Sequence, residues 1–102
     1  LWIGFAADPR GTIVVDDGAV RAVRGGRASL LAAGALEVRG EFSAGDPVWV
    51  DAEDGTHLAR GLSGYDSEEI PQMLGRNTDQ LKRFLGEAYA HPLIHRDNLV
   101  LV

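Results

Sequence analysis

The sequence contains no cysteine, which excludes a disulfide framework, a thiolate metal site and a cysteine nucleophile. It holds one lysine, Lys82, and one methionine, Met73. No apolar run approaches the roughly eighteen residues that a membrane-spanning helix needs. The start, Leu1-Trp2-Ile3-Gly4, lacks the basic region and apolar run of a signal peptide, so the expected compartment is the cytoplasm and no membrane partner is expected. It also lacks an initiating methionine, as expected of a piece of a longer protein.

Positive charge is in short supply. Ten basic residues stand against fifteen acidic ones, for a net charge of −5. Residues 1–50 carry five basic and six acidic residues, and residues 51–102 carry five and nine. Domains that grip nucleic acid by its backbone are normally basic, because neutralised phosphates supply most of the affinity. Any such role here needs a local patch working against the overall field.

What is present is the mix of one compact globular domain: 102 residues, 45% apolar and 25% charged. Glycine, at 13 residues, is well above its usual share of about 7% and implies many tight turns. Residues 1–10 read as a junction segment closed by the turn signal Asp8-Pro9-Arg10-Gly11, and residues 11–102 as the domain proper. Thr12 to Asp16 reads as a strand. Asp16-Asp17-Gly18 then predicts a capped helix start, and Ala19, Val20, Ala22 and Val23 predict the buried stripe of a helix of about two turns. Gly25-Gly26 ends that helix, and Ser29 to Gly34 forms an apolar turn.

Leu36, Val38, Gly40 and Phe42 alternate with charged residues, which predicts a half-buried strand with those four facing inward. Val48-Trp49-Val50 and His57 to Leu62 read as a hairpin about Asp54-Gly55. Asp66 or Ser67 is the expected cap of a short helix holding Ile70, Met73 and Leu74. Asn77 and Gln80 have capping-box spacing for a second helix, with Leu81, Phe84 and Leu85 as its apolar face. Leu93 to Val102 reads as two short strands about Arg96-Asp97-Asn98. Together these elements predict a mainly β fold with short helices, barrel-like in outline.

One stretch carries more than periodicity. Gly11 to Val15, Asp17-Gly18-Ala19, Ser29-Leu30-Leu31, Gly34, Gly40-Glu41-Phe42 and Gly45-Asp46 resemble, in order and spacing, the pattern of PUA domains. Further on, Gly61, Tyr65 and Ser67, then Gly75, then Ile94-His95-Arg96-Asp97-Asn98-Leu99-Val100 resemble the C-terminal end of bacterial glutamate 5-kinases. The resemblance implies a PUA-like pseudo-barrel of about six strands. It implies a non-catalytic accessory domain behind an amino-acid-kinase domain that phosphorylates glutamate at the first step of proline biosynthesis. ATP and magnesium would then belong to that kinase domain, with no cofactor in this chain. The kinase domain would be the partner, in a homo-oligomeric enzyme, with Trp2, Arg96 and Asp97 as interdomain candidates. PUA domains elsewhere bind structured RNA through the first helix and the loop after it. On this chain that surface holds Gly18, Ala19, Arg21, Arg24 and Arg27.

The residues also allow direct readings. Phosphoryl transfer needs a phosphate cradle, a cation and metal ligands, and the sequence holds no GxxxxGK[ST] motif. His95-Arg96-Asp97 opens like the catalytic loop of protein kinases, but Val102 stands where that motif needs asparagine, so a turn is the expected role. His91 and His95 are separated by Pro92 and lack a third ligand, which makes a poor zinc site. Asp51 to Gly55 reads as a solvated hairpin tip. Arg21, Arg24 and Arg27 form a slanting ridge if the helix extends that far, serving either phosphate contact or the helix C-terminal dipole. Phe42 and Phe84 sit at core periodicity, whereas Trp49 and Tyr65 are open to core or surface roles.

Overall fold

The computed structural model describes residues 8–102. Five strands form one mixed sheet: β1 (Gly11–Val15), β2 (Ala35–Gly40), β3 (Pro47–Ala52), β4 (His57–Leu62) and β5 (Leu99–Leu101), in the order β2-β1-β3-β4-β5. β1 runs parallel to β3, and every other neighbouring pair is antiparallel. Two α-helices join them, α1 (Asp17–Arg24) and α2 (Thr78–Leu85). Short 3-10 turns lie at Ala32–Gly34, Ile70–Gln72, Glu87–Tyr89 and Arg96–Asn98. The mainly β class with short helices is the one the sequence predicts. Of the two strands expected in the tail, the first supplies only an isolated bridge, Ile94 opposite Leu30.

The inner face of the sheet is built by alternation. Ile13 and Val15 on β1, Val48 and Val50 on β3, and Ala59 on β4 are fully buried. The loops close the other side of the core with Leu30, Ile70, Met73, Leu93 and Ile94. Burying such a side chain contributes about 1.5–3 kcal/mol, so these five loop residues matter as much as the sheet. Gly61 on β4 lets Ile94 come close, since a Cβ there would lie 2.7 Å from the Ile94 side chain. The hairpin tip turns at Gly55, with φ +89°, as the Asp-Gly pair predicts.

β2 departs from the expected phase. Its pairing with β1 slips between Val14 and Val15, so that Val14 faces Glu37 while Val15 faces Ala35. Leu36 is the extra residue. Ala35 is therefore buried and Leu36 exposed, the reverse of what simple alternation gives. Asp66 and Ser67 do not cap the helix that follows them. Their side chains accept the backbone N–H groups of Ala44 (2.8 Å) and Phe42 (3.1 Å), pinning the loop between β2 and β3. The Asn77–Gln80 capping box is fully formed, with both reciprocal bonds at 2.9 Å. Leu81 is buried as expected, but Phe84 is 60% exposed and not part of the core.

Candidate functional site

α1 is positioned by its own sequence. The Asp16 carboxylate accepts the Ala19 N–H at 2.8 Å, satisfying one of the free donors of the first turn. Val23 is the one α1 residue buried in the core, while Ala22, expected inside, is exposed. Gly34 lies directly beneath the helix, and a Cβ there would stand 2.6 Å from the Ala19 Cβ. The Gly34 carbonyl in turn accepts the Asp16 N–H at 2.9 Å, so helix cap and turn are locked together.

Shallow grooves flank α1. The first, about 340 Å³, runs between α1 and residues 28–34, with Gly18, Ala19 and Ala22 on one wall and Leu31, Ala33 and Gly34 on the other. The second, about 350 Å³, lies between the end of α1 and β5, lined by Val23, Gly26, Arg96 and Leu99 to Leu101. Arg21 and Arg24 lie on α1 and are exposed, as are Gly18 and Arg27. α1 stops at Arg24, and Gly26 takes φ +77°, so Arg27 sits on the loop and the three arginines do not share one helical ridge.

The surroundings of each arginine differ. Arg24 lines a depression with Glu53 and Asp54 of the β3–β4 hairpin tip. The Asp54 carboxyl is held below the usual carboxylate range, chiefly by the Thr56 backbone N–H and least by the charge of Arg24. Part of the Arg24 field is therefore spent on an acidic neighbour. Arg96 joins the α1 surface through its backbone, because its N–H donates to Ser29 Oγ at 2.8 Å. Sequence reasoning missed this juxtaposition, since 67 residues separate the two. Asp97 is engaged locally, its N–H donating to His95 Nδ1 and its carboxylate 3.5 Å from the same ring. Trp2 lies outside the described residues.

The β3–β4 hairpin holds a second cluster. Asp51, read from sequence as part of a solvated tip, is buried and lies 2.6 Å from His57 Nδ1. The two residues are cross-strand partners because the β3–β4 register slips between Val50 and Asp51, which sets Asp51 opposite His57 and not Leu58. The His57 ring stacks on Trp49 at 3.9 Å, and the Arg60 guanidinium lies 5.2 Å from the Trp49 centroid. Trp49 is thus a packed element of the outer sheet face. Tyr65 belongs to the core, with its hydroxyl donating to the Ala88 carbonyl at 3.0 Å and its phenol pushed up by burial. His91 and His95 line a groove of about 400 Å³ with Tyr65 and Asn98. Among the described residues, no group of three or more histidine and carboxylate side chains comes together as a metal site.

Residues 11–85 match the family model described as PUA domain. The chain belongs to the PUA domain family. A glutamate 5-kinase from Bifidobacterium longum (strain DJO10A) is 85% identical over 102 residues, all of this chain and 27% of that protein. A glutamate 5-kinase from Streptomyces avermitilis is 53% identical over the same span, again 27% of its length. This PUA domain therefore spans about a quarter of the curated relatives it matches, in their C-terminal region. Among solved structures, a PUA domain from Aeropyrum pernix K1, crystallised as a tartrate complex, superposes with a TM-score of 0.65 at 28% identity, covering 85% of this chain and 41% of that one. A chain of the archaeal box H/ACA sRNP Nop10-Cbf5 complex superposes with a TM-score of 0.56 at 25% identity, covering 67% and 22%. No helix among the described residues is long and apolar enough to cross a membrane.

Proposed function

We propose that this PUA domain is the non-catalytic C-terminal part of a glutamate 5-kinase and acts on its own kinase domain by contact. The carrying observation is identity of 85% over every residue of the chain to a glutamate 5-kinase of which it covers 27%. In this reading ATP, magnesium and glutamate are handled by the preceding kinase domain. The PUA domain tunes proline feedback or the geometry of the homo-oligomer. Arg96, beside the groove at β5, and Trp2 and Asp97 are the interdomain candidates. The test is deletion of the domain from the full-length enzyme. Altered kinetics, proline inhibition or assembly is expected. An enzyme unchanged in all three refutes the reading.

A second reading rests on the α1 surface. Arg21, Arg24, Arg27 and Arg96 are all exposed, Arg96 beside the groove at β5 and Arg24 toward the hairpin tip, and Gly18 at the helix start is exposed as well. Arginine forks on such a surface suit the phosphates of structured RNA. The net charge of −5 and the acidic neighbours of Arg24 weigh against tight binding. A mixed transfer-RNA pool titrated at about 50 and 200 mM salt decides it. Binding that falls with salt, and is lost when Arg21, Arg24 and Arg27 become Ala, supports the RNA reading. Absence of binding at the lower salt refutes it.

A further inference from the structure

α2 carries an aromatic ring that its own domain leaves uncovered. Leu81 seats the helix in the core, whereas Phe84 is 60% exposed. The Arg76 guanidinium lies 5.5 Å from the Phe84 ring centroid. Gly75, the neighbour of Arg76, donates its N–H to the Ala32 carbonyl at 2.9 Å, which ties the backbone ahead of this pair to the turn carrying Leu31. Leu31 is itself 48% exposed. An arginine laid over an exposed aromatic, with an aliphatic side chain at its border, is the composition of protein–protein contact centres.

We infer that the Leu31–Arg76–Phe84 patch docks an acidic, apolar segment of the kinase domain carried by the same polypeptide. This rests on the accessory-domain reading above. Size selects the occupant. A freely diffusing partner needs roughly 800 Å² per side, and one aromatic side chain supplies about 150–250 Å². A tethered domain is present at an effective concentration in the millimolar range, so a small patch suffices. Charge selects the chemistry. The chain is acidic overall, yet this patch presents the Arg76 guanidinium over the Phe84 ring. A two-fold contact between copies would bring Arg76 of each into the same seam, which disfavours self-association through this face.

The test places the photoreactive p-benzoylphenylalanine at position 84 of the full-length enzyme, with a control at the exposed hairpin-tip residue Glu53. The expected result is a crosslink within one chain to an acidic kinase segment, several-fold stronger from position 84 than from position 53. Arg76→Glu lowers its yield several-fold, and Arg76→Lys preserves most of it. An unchanged melting temperature in these variants keeps loss of folding out of the comparison. Absence of an intrachain crosslink from position 84 overturns the inference, even where domain deletion alters the enzyme and so upholds the reading beneath it. A crosslink only between isotopically distinct chains, or a nuclease-sensitive adduct, assigns the patch to a second copy or to RNA and overturns it equally.

Discussion

Gly34→Ala puts the seating of α1 to a quantitative test. The added Cβ would stand 2.6 Å from the Ala19 Cβ and 3.6 Å from its Cα. Carbon atoms pack at about 3.5–4.0 Å, so helix and turn must part by roughly 1 Å. Overpacking of this kind costs about 1–3 kcal/mol. Loss of glycine from the unfolded chain returns about 0.4–1 kcal/mol, which leaves a net destabilisation between about 0 and 2.6 kcal/mol, centred near about 1.3 kcal/mol. Ala19→Gly alone costs about 1 kcal/mol of helix propensity. In the double variant the clash is gone, so the combined cost is about 1 kcal/mol or less, well below the sum of the singles. Urea unfolding of the chain, followed by circular dichroism, measures all three differences. In thermal unfolding, each kcal/mol shifts the midpoint by about 4–8 °C for a domain of this size. Additivity within about 0.5 kcal/mol refutes the close-packed seating.

Asp16→Ala removes the acceptor for the Ala19 N–H and is expected to cost about 1 kcal/mol, with faster hydrogen exchange at that amide. Burial raises the Tyr65 phenol above its ordinary 10.0, so its contribution to stability is fully present below pH 10 and is lost as pH rises through the raised value. Tyr65→Phe, measured across that alkaline window, is expected to flatten part of the decline, and an unchanged slope refutes the assignment. The Asp54 carboxyl is lowered from its ordinary 3.8, so its contribution is present above about that pH and fades as pH falls through the folded value. Arg24→Ala is expected to leave most of this depression in place, because the Thr56 backbone N–H dominates it. Carbon-detected NMR titration of Asp54 checks this, and a return to the ordinary midpoint in that variant makes Arg24 the principal partner.

Local chemistry was the legible part of this fold. The Asp54-Gly55 turn, the Asp16 cap and the Asn77–Gln80 box each involve residues within three positions of one another, and all three form. Errors arose where a distant segment decided the outcome. Leu36 points outward because of a slip in pairing with β1, which alternation within β2 cannot reveal. Asp66 and Ser67 have the right side chains for capping, but backbone donors at Ala44 and Phe42 claim them. Phe84 keeps helical spacing with Leu81 yet falls on the flank of the buried seam, a difference that short periodicity does not resolve. At the candidate site, the exposure of the arginines was readable, whereas the approach of Arg96 to Ser29 and the Asp51–His57 pair required the sheet register.

The bridge between Leu30 and Ile94 also governs when the domain can finish forming. The edge strand β2, the central strands β1 and β3 and the β3–β4 hairpin are complete in sequence by residue 62. Yet Leu30 has no bridge partner until Ile94 is made, and the free edge of β4 stays open until Leu99 to Leu101 arrive. At about 5–20 residues per second, a nascent chain spends several seconds between residues 62 and 101 with that seam unsealed. Synthesis therefore passes through an interval in which β1 to β4 have been made but the residues that close their apolar face and pair the edge of β4 have not.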